Sequence, residues 1–192
     1  MPRCGSRAPA PDDIPQISPF LLQGFHRYIR FYLQRSFHAV RLSRAGPPPY
    51  LPDRLLVIFL NHPSCWAPLV CLFLANPLFP DHSHYGPIDA EALARYRLFA
   101  RIGFFGVTPS SQRGAATFLR VSQAILRQPQ AALWVTPEGT FTDPRQRPTR
   151  LQSGISHLAC RLDRAVCGIV TRWPMHHRPS QTLRVSCRQF PC

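Results

Sequence analysis

The chain has 192 residues, of which 45% are hydrophobic and 17% charged, enough apolar material for the core of one domain. This composition excludes wholesale disorder, and no fixed period indicates a collagen, a coiled coil or a repeat protein. The 23 lysine-plus-arginine positions outnumber nine acidic residues, for a net charge of +14, and all of them are arginine. The absence of lysine excludes Schiff-base chemistry and a Walker-type phosphate loop. The charge predicts an anionic partner, such as phospholipid headgroups, nucleic acid or a phosphorylated substrate.

Cysteine usage and the N-terminus bear on compartment and targeting. Seven cysteines are spread through the sequence without a C-x-x-C pair. Because the apolar content is sufficient for a core, this odd number predicts a reducing compartment and no disulfide framework. The histidines and cysteines lack the ligand spacing of a zinc site, so we expect no metal. Residues 1–19 show no apolar signal-peptide region, and residues 1–13 are interpreted as a flexible N-terminus.

Residues 14–46 are predicted to form a basic amphipathic helix, over 17–44, that ends in a Pro-rich linker. No acidic residue occurs between Asp13 and Asp53. A helix of this kind is typical of proteins that lie on an anionic membrane. The alternative is an ordinary packing helix with a solvated arginine face. The predicted apolar arc contains Leu21, Leu22, Phe25, Ile29, Tyr32, Leu33, Ser36 and Val40, and the polar arc contains His26, Arg27, Arg30, Gln34, His38, Arg41 and Arg44.

Beyond residue 50, short apolar runs alternate with helical patterns. Strands are predicted at 55–60, 85–88, 104–107 and 131–135, and helices at 68–75, 90–102 (with Asp89 as its N-cap), 114–127 and 153–162. This alternation predicts an α/β domain over 50–170, with a mostly parallel sheet flanked by helices. Residues 171–192 show little of the pattern beyond a short strand around Val185. We interpret them as an atypical tail that is truncated, frameshifted or disordered, and the sequence leaves these alternatives open.

The stretch 55–80 contains no charged residue and has the length of a membrane span. Polar residues and a proline interrupt it at 61–64, however, in a way that would break a spanning helix. We therefore predict a buried strand, a turn and a buried helix.

Two polar segments each follow a predicted apolar strand: Asn61–Ser64 after the first strand, and Pro137–Thr140 after the strand 131–135. Ligands of open α/β sheets bind at the carboxyl ends of the strands. A histidine there, His62, is a candidate general base because its pKa lies near neutrality. The alternative for a lone histidine beside asparagine and proline is a structural role.

Together and in this order, the two segments resemble motifs of the glycerolipid acyltransferase family, of the lysophosphatidate acyltransferase type. That family has a His-x4-Asp motif after one strand and a Pro-Glu-Gly-Thr motif after a later strand. The matching residues are Asn61, His62 and Ser64 in the first motif and Pro137, Glu138, Gly139 and Thr140 in the second. Residues 103–107 resemble the family's glycine-and-aromatic middle motif, and Gly154 lies where the family has a glycine that opens the next helix. The resemblance covers 55–169.

The resemblance implies acyl transfer from a thioester, acyl-CoA or acyl-carrier protein, to a hydroxyl of a lysophospholipid or related lipid. His62 would remove the hydroxyl proton so that the oxygen attacks the thioester carbonyl, and the family's aspartate orients the imidazole, as in a serine-protease triad. Glu138, Gly139 and Thr140 would shape the acceptor pocket, and Asn61 and Ser64 are further candidate substrate-binding residues. The resemblance implies no metal and no cofactor beyond the thioester co-substrate. We expect a peripheral protein on the cytoplasmic face of a membrane.

This sequence departs from the family where the dyad and the acceptor-phosphate arginines are expected. Ala67 occupies the position of the aspartate; losing the equivalent acid costs a protease about 10⁴ in turnover. Thr108–Pro109 and Phe141 stand where the family has the arginines. Candidate replacements are Arg113, Arg145, Arg147 and Arg150, because guanidinium suits bidentate phosphate contact. The alternative for these four is solvated loop charge.

Three hypotheses about function remain: a membrane-associated lipid acyltransferase, a catalytically silent relative that lacks the dyad, and an arginine-rich nucleic-acid-binding protein. The sequence has no zinc-finger spacing, RNP-like segment or helix-turn-helix pattern, and its arginines form no single block. We therefore expect no specific nucleic-acid partner. The expected partners are an anionic membrane surface, a lipid acceptor and an acyl-thioester donor, and the sequence predicts no oligomeric state.

Overall fold

A computed structural model describes residues 14–42, 46–47, 56–62, 66–143, 151–152, 154, 158, 165–172 and 182–190, the last two ranges by their backbone alone. Its helices are α1 (Pro19–Ser36), α2 (Ala67–Leu78), α3 (Ala90–Arg95), a 3₁₀ helix (Arg97–Ile102) and α4 (Gln112–Ile125). Its strands are β1 (Ala39–Leu42), β2 (Leu56–Leu60), β3 (Ser83–Asp89), β4 (Phe104–Val107), β5 (Ala131–Val135), β6 (Ala165–Arg172) and β7 (Thr182–Phe190).

Within the described residues, the strands form one seven-stranded sheet in the order β1-β7-β6-β2-β5-β3-β4. The pair β6–β7 is antiparallel, and every other neighbouring pair is parallel. The central strands β2 and β5 are almost entirely apolar and buried, which is typical of parallel strands covered on both faces. This architecture confirms the predicted α/β fold with a mostly parallel sheet flanked by helices.

Helices cover the two faces of the sheet separately. On one face, Leu56, Ile58 and Leu60 of β2 pack with α1, α2 and the 3₁₀ helix. On the other face, Val57 of β2 packs with α4 and with Leu158. The alternation follows from the strand itself, because successive side chains point to opposite faces. As a result, α1 and α4 lie on opposite sides of the sheet.

The predicted N-terminal helix over 17–44 is wrong at its C-terminal end. The helix ends at Ser36, the backbone of Phe37 becomes extended (φ −130°, ψ 143°), and 39–42 form β1, which pairs with β7. Val40 and Arg41, which the periodicity placed on two arcs of a helix, therefore lie in a strand. Pairing with β7 satisfies the backbone groups of this segment, and such a distant partner outweighs local helical periodicity. Gly46 and Pro47 are the described residues of the predicted linker.

The interpretation of 171–192 as a tail outside the domain is also wrong for 182–190. These residues form β7, whose antiparallel register with β6 runs from Val166↔Phe190 to Arg172↔Arg184. β7 thus covers an edge of β6 that would otherwise expose unpaired backbone groups. The sequence predicted only a short strand around Val185, because one partner of β7, β1, is distant in sequence and leaves no local periodicity.

The remaining predicted elements agree with the structure except for one break. The uncharged stretch 55–80 contains β2 and α2, as predicted. Asp89 caps α3, its Oδ1 accepting from the backbone N–H of Glu91 at 2.7 Å, but the helix predicted over 90–102 divides at Tyr96 into α3 and the 3₁₀ helix. Of the helix predicted over 153–162, the described residues Gly154 and Leu158 are helical. No helix in the described part of the chain is long and apolar enough to cross a bilayer, and the N-terminus 1–13 lies outside that part.

A buried histidine joins β3 to β5 and to the end of α2. The indole N–H of Trp134 donates to Nδ1 of His84 at 3.0 Å, so Nε2 carries the proton and donates to the Phe79 carbonyl at 3.1 Å. Burial lowers the pKa of His84 to about 4; the Phe79 hydrogen bond raises it, and the charges of His82 and His26 lower it further. The neutral imidazole is therefore the form that the fold holds.

We expect the stability of the protein to fall as the pH is lowered from about 6.5 toward 4, because the unfolded state takes up a proton at His84 before the folded state does. The contribution of His84 to this loss is about 3 kcal/mol in the free energy of unfolding. Urea denaturation across this pH range measures it.

Replacing His84 by Gln should flatten the pH dependence, although the variant is less stable at neutral pH. The exposed His38 provides the matched control, since His38→Gln should leave the profile unchanged. A His84→Gln profile as steep as that of the parent would contradict this assignment.

Candidate functional site

The two polar segments singled out in the sequence meet at one edge of the sheet. β2 and β5 are parallel neighbours, with Phe59 opposite Val135, so the turns that follow them leave the sheet side by side. Asn61 and His62 follow β2, and the turn beginning at Thr136 follows β5. This edge is where ligands of open α/β sheets bind.

The backbone of His62 is held by the loop after β5. Its N–H donates to Oε2 of Glu138 at 2.8 Å, and its carbonyl accepts from the N–H of Thr142 at 3.0 Å. The imidazole packs edge-on against the ring of Phe141, with 4.6 Å between ring centroids. The structure therefore brings His62 and Glu138 together, but the carboxylate bonds to the backbone of His62 and not to its ring.

The imidazole of His62 is half-buried. Burial lowers its pKa, so the ring is neutral at physiological pH and retains one basic nitrogen. Its Nδ1 is buried and has no hydrogen-bond partner among the described residues. A buried nitrogen in this state forgoes the hydrogen bonds that water would provide, and no described group fixes the tautomer of the ring.

Ala67, at the position where the resembled family has its aspartate, is the first residue of α2 and is fully buried. Trp66 precedes it as the N-cap, with no side-chain hydrogen bond to the helix backbone. The site thus contains a methyl group in the core at the position where a carboxylate is expected.

Gly139 and Thr140 belong to a tight turn. Gly139 has φ +67°, a left-handed conformation that favours glycine, and its N–H donates to the Thr136 carbonyl at 3.1 Å. A Cβ at Gly139 would lie 3.2 Å from Cγ of Gln152, whose own N–H donates to the Pro137 carbonyl at 2.8 Å. The turn is thereby fixed at both ends, which orients the Glu138 carboxylate toward His62. Thr140 is exposed on the same turn.

The candidate phosphate-binding arginines are not brought to His62 by the described structure. Arg113 is exposed on the first turn of α4, which begins at the carboxyl end of β4. β4 lies two strands away from β5, or about 10 Å at the usual strand spacing. Arg145, Arg147 and Arg150, together with Ser64, lie outside the described residues, and Asn61 is half-buried beside His62.

Phe141 is the site residue whose role the sequence analysis missed. It was considered only as the residue that replaces a family arginine, yet its ring is 60% exposed and still contacts His62. The sequence signal that could have predicted this contact is a large apolar side chain directly after the polar turn that follows β5. The described residues include no group of three His, Cys, Asp or Glu side chains that could hold a metal ion.

Comparison with protein-family models and with curated proteins finds no match to this chain.

Removing the Glu138 carboxylate should destabilise the protein, because it leaves the N–H of His62 without its acceptor. We expect Glu138→Ala to cost about 1–2 kcal/mol in the free energy of unfolding. Glu138→Gln keeps an oxygen acceptor and should cost less than half as much. Urea denaturation of both variants measures the difference.

The exposed Glu91 on α3 serves as a matched control, since Glu91→Ala removes the same charge away from the site. Equal losses for Glu138→Ala and Glu91→Ala would show that the hydrogen bond to His62 contributes nothing.

Proposed function

We propose that this protein transfers an acyl group from an acyl thioester, acyl-CoA or acyl-carrier protein, to a hydroxyl of a lysophospholipid or related lipid, with His62 as general base. The observation that carries the proposal is a neutral, half-buried imidazole at the carboxyl edge of a parallel sheet, beside the Glu138 turn. The family resemblance of the two segments supplies the chemistry, and the geometry supports it by joining those segments.

In the proposed reaction, the acceptor hydroxyl donates its proton to the free imidazole nitrogen of His62 as its oxygen attacks the thioester carbonyl. A carbon–oxygen bond forms, the carbon–sulfur bond breaks, and the proton passes from the imidazolium to the leaving thiolate. The products are an ester and a thiol, so atoms and charge balance. No covalent enzyme intermediate is needed.

The remaining candidate residues take supporting roles in this proposal. Gly139 and Thr140, on the turn that Glu138 anchors, border the acceptor. Asn61 and Ser64 flank His62 in sequence and contact substrate. The phosphate of the acceptor or of the thioester donor meets arginine, for which Arg113, Arg145, Arg147 and Arg150 are the candidates.

The buried Ala67 favours a second candidate function, that of a catalytically silent acyltransferase-like protein that associates with membranes. Without a carboxylate on the imidazole, the tautomer of His62 is not fixed and the imidazolium formed during attack is not stabilised. The active and silent alternatives differ in one measurable property, the release of thiol from an acyl thioester in the presence of a lysolipid.

We expect Ala67→Asp to raise the rate of acyl transfer by about 10²–10⁴, because a carboxylate that accepts from one imidazole nitrogen leaves the other free to take a proton. His62→Ala should abolish whatever activity the parent has. The measurement is thiol release from acyl-CoA and from acyl-carrier protein, with a panel of lysolipids as acceptors.

Ala67→Asn is the matched control, since it has the size and hydrogen-bonding groups of Asp without the charge, and it should gain far less. Circular dichroism and urea denaturation establish that each variant is folded. Parent activity that survives His62→Ala would refute the proposed mechanism, and folded variants that all lack activity would establish the silent alternative.

We also propose that the protein lies peripherally on the cytoplasmic face of a membrane, held by α1. Ile29 and Leu33 of this helix are buried in the core, so the face that remains exposed is the one opposite them. That face carries Arg27 and Phe31, with Phe20 about two turns before Arg27 and 83% exposed. Arginine and aromatic side chains together suit an anionic interface.

Replacing Arg27, Arg30 and Arg35 together by Gln should weaken binding to anionic vesicles by about 10²-fold, at roughly 1 kcal/mol for each arginine. All three are exposed, so the fold tolerates the change. Vesicle sedimentation at physiological salt measures the binding, with zwitterionic vesicles as the lipid control. Arg127→Gln, beyond the end of α4, is the protein control and should bind as the parent does. A triple variant that sediments as fully as the parent would exclude α1 as the anchor.

A further inference from the structure

Exposed apolar side chains are concentrated on one side of the molecule. Of the eight large apolar residues that are exposed among the described residues, four lie on α1. Two more, Tyr96 at 53% exposure and Leu98 at 42%, lie in the segment 95–101, which contains the junction between α3 and the 3₁₀ helix. Two elements far apart in sequence thus present apolar surface to solvent.

These two elements are in contact, and their rings form one continuous aromatic strip. The strip consists of Tyr96, Phe99, Phe25, Tyr28, Tyr32 and Trp66, with successive ring centroids 5.7, 6.0, 5.8, 5.8 and 5.2 Å apart. The backbone also joins the elements, since the N–H of Ser18 donates to the Arg101 carbonyl at 2.8 Å. The exposed faces of α1 and of segment 95–101 are therefore parts of one surface.

The charge of segment 95–101 matches that of α1. Arg95, Arg97 and Arg101 are exposed, and no acidic residue occurs between Glu91 and Glu138. The guanidinium of Arg95 lies over the ring of Tyr96 at 6.0 Å, as that of Arg35 lies over Phe31 at 5.7 Å. Arginines beside half-exposed aromatic rings are suited to a headgroup region, where the rings enter the lipid and the guanidinium groups meet phosphate.

The opposite face of the sheet shows that charge alone does not define this surface. α4 and the turn after it carry the exposed Arg113 and Arg127, but α4 has no exposed large apolar side chain. A soluble anion or a nucleic acid backbone could use either face, whereas a bilayer requires apolar side chains next to the charge. The strip meets that requirement and α4 does not.

An open groove next to the strip also suits a lipid. It has a volume of about 480 Å³, and Arg97 is the charged residue of its lining, which is otherwise Ala90, Leu93, Ala94, Ala100 and Gly106. An apolar lining with a single arginine suits an acyl chain whose anionic headgroup meets that arginine.

We propose that segment 95–101 is a second bilayer-contacting element, which inserts Tyr96 and Leu98 into the headgroup region of an anionic phospholipid membrane beside α1. Tyr28, Tyr32 and Tyr96 of the aromatic strip then face the lipid, and the other three rings pack between them and the core. This inference rests on the membrane association in the proposed function and does not depend on acyl transfer.

The first test compares exposed arginines on the two faces of the full-length protein. The vesicles contain equal parts of phosphatidylglycerol and phosphatidylcholine. Arg95→Gln should weaken vesicle binding roughly fivefold, and Arg95→Gln with Arg97→Gln about thirtyfold. Arg127→Gln removes one charge from the other face and should change binding by less than a third of the factor for Arg95→Gln. Equal losses for Arg95→Gln and Arg127→Gln would overturn the proposal.

The second test reports insertion directly. Leu98→Trp places a fluorophore in the segment, and brominated acyl chains in the same vesicles should quench its added emission. Ala116→Trp, at an exposed position of α4, is the control and should not be quenched. The emission of the unmodified protein, with its three tryptophans, is subtracted from both.

The outcomes separate this inference from the proposed function. Quenching of Leu98→Trp supports the second element even if no acyl transfer is found. Loss of binding in the Arg95/Arg97 variant without quenching of Leu98→Trp would indicate that the arginines meet the lipid headgroups without insertion of the segment, and would overturn the proposal. Binding that depends on the α1 arginines alone would also overturn it, while leaving α1 as the anchor.

Discussion

β2 and β5 are hydrogen-bonded neighbours in the middle of the sheet, and the candidate site depends on that pairing. Helices on both faces bury the two strands, so their apolar sequences fix them at the centre of the sheet. Parallel strands that lie side by side end at the same edge, which is why the loops after them meet. The hydrogen bond between His62 and Glu138 therefore forms across 76 residues of sequence.

The sequence predicted those elements whose signals are local. The apolar runs of β2, β4 and β5, the amphipathic pattern of α4 and the Asp89 cap all arise from neighbouring residues, and each is found where expected. β1 and β6 escaped prediction, and β7 was predicted only as a short strand around Val185, because each is completed by a partner that is distant in sequence. The helical periodicity of hydrophobic residues in α1 continues through β1. The end of the helix is therefore determined by the pairing of β1 with β7 and not by local helix propensity.

The same distinction applies to the site. Two motifs in order predicted that His62 and Glu138 share an edge, and the parallel sheet brings them together. Which atoms touch depends on side-chain and backbone geometry that no motif encodes: the Glu138 carboxylate accepts from the backbone of His62, and Phe141 covers the ring. The left-handed backbone of Gly139, directly after Glu138, belongs to the same turn and is likewise absent from any motif spacing.

Residue 67 lacks the carboxylate that the resembled family has there, and Nδ1 of His62 lacks a hydrogen-bond partner among the described residues. A carboxylate at residue 67 would lose hydration in a fully buried position, a cost that is offset only by hydrogen-bond donors. The first turn of α2 presents the positive end of the helix dipole, and Nδ1 of His62 is a buried nitrogen without a described partner. A carboxylate at residue 67 would thus be stabilised by the helix dipole, and it could accept a hydrogen bond from the imidazole of His62. Alanine packs in the core without needing any hydrogen-bond partner. The imidazole of His62 is then oriented only by its contact with Phe141 and by the loop that contains Glu138.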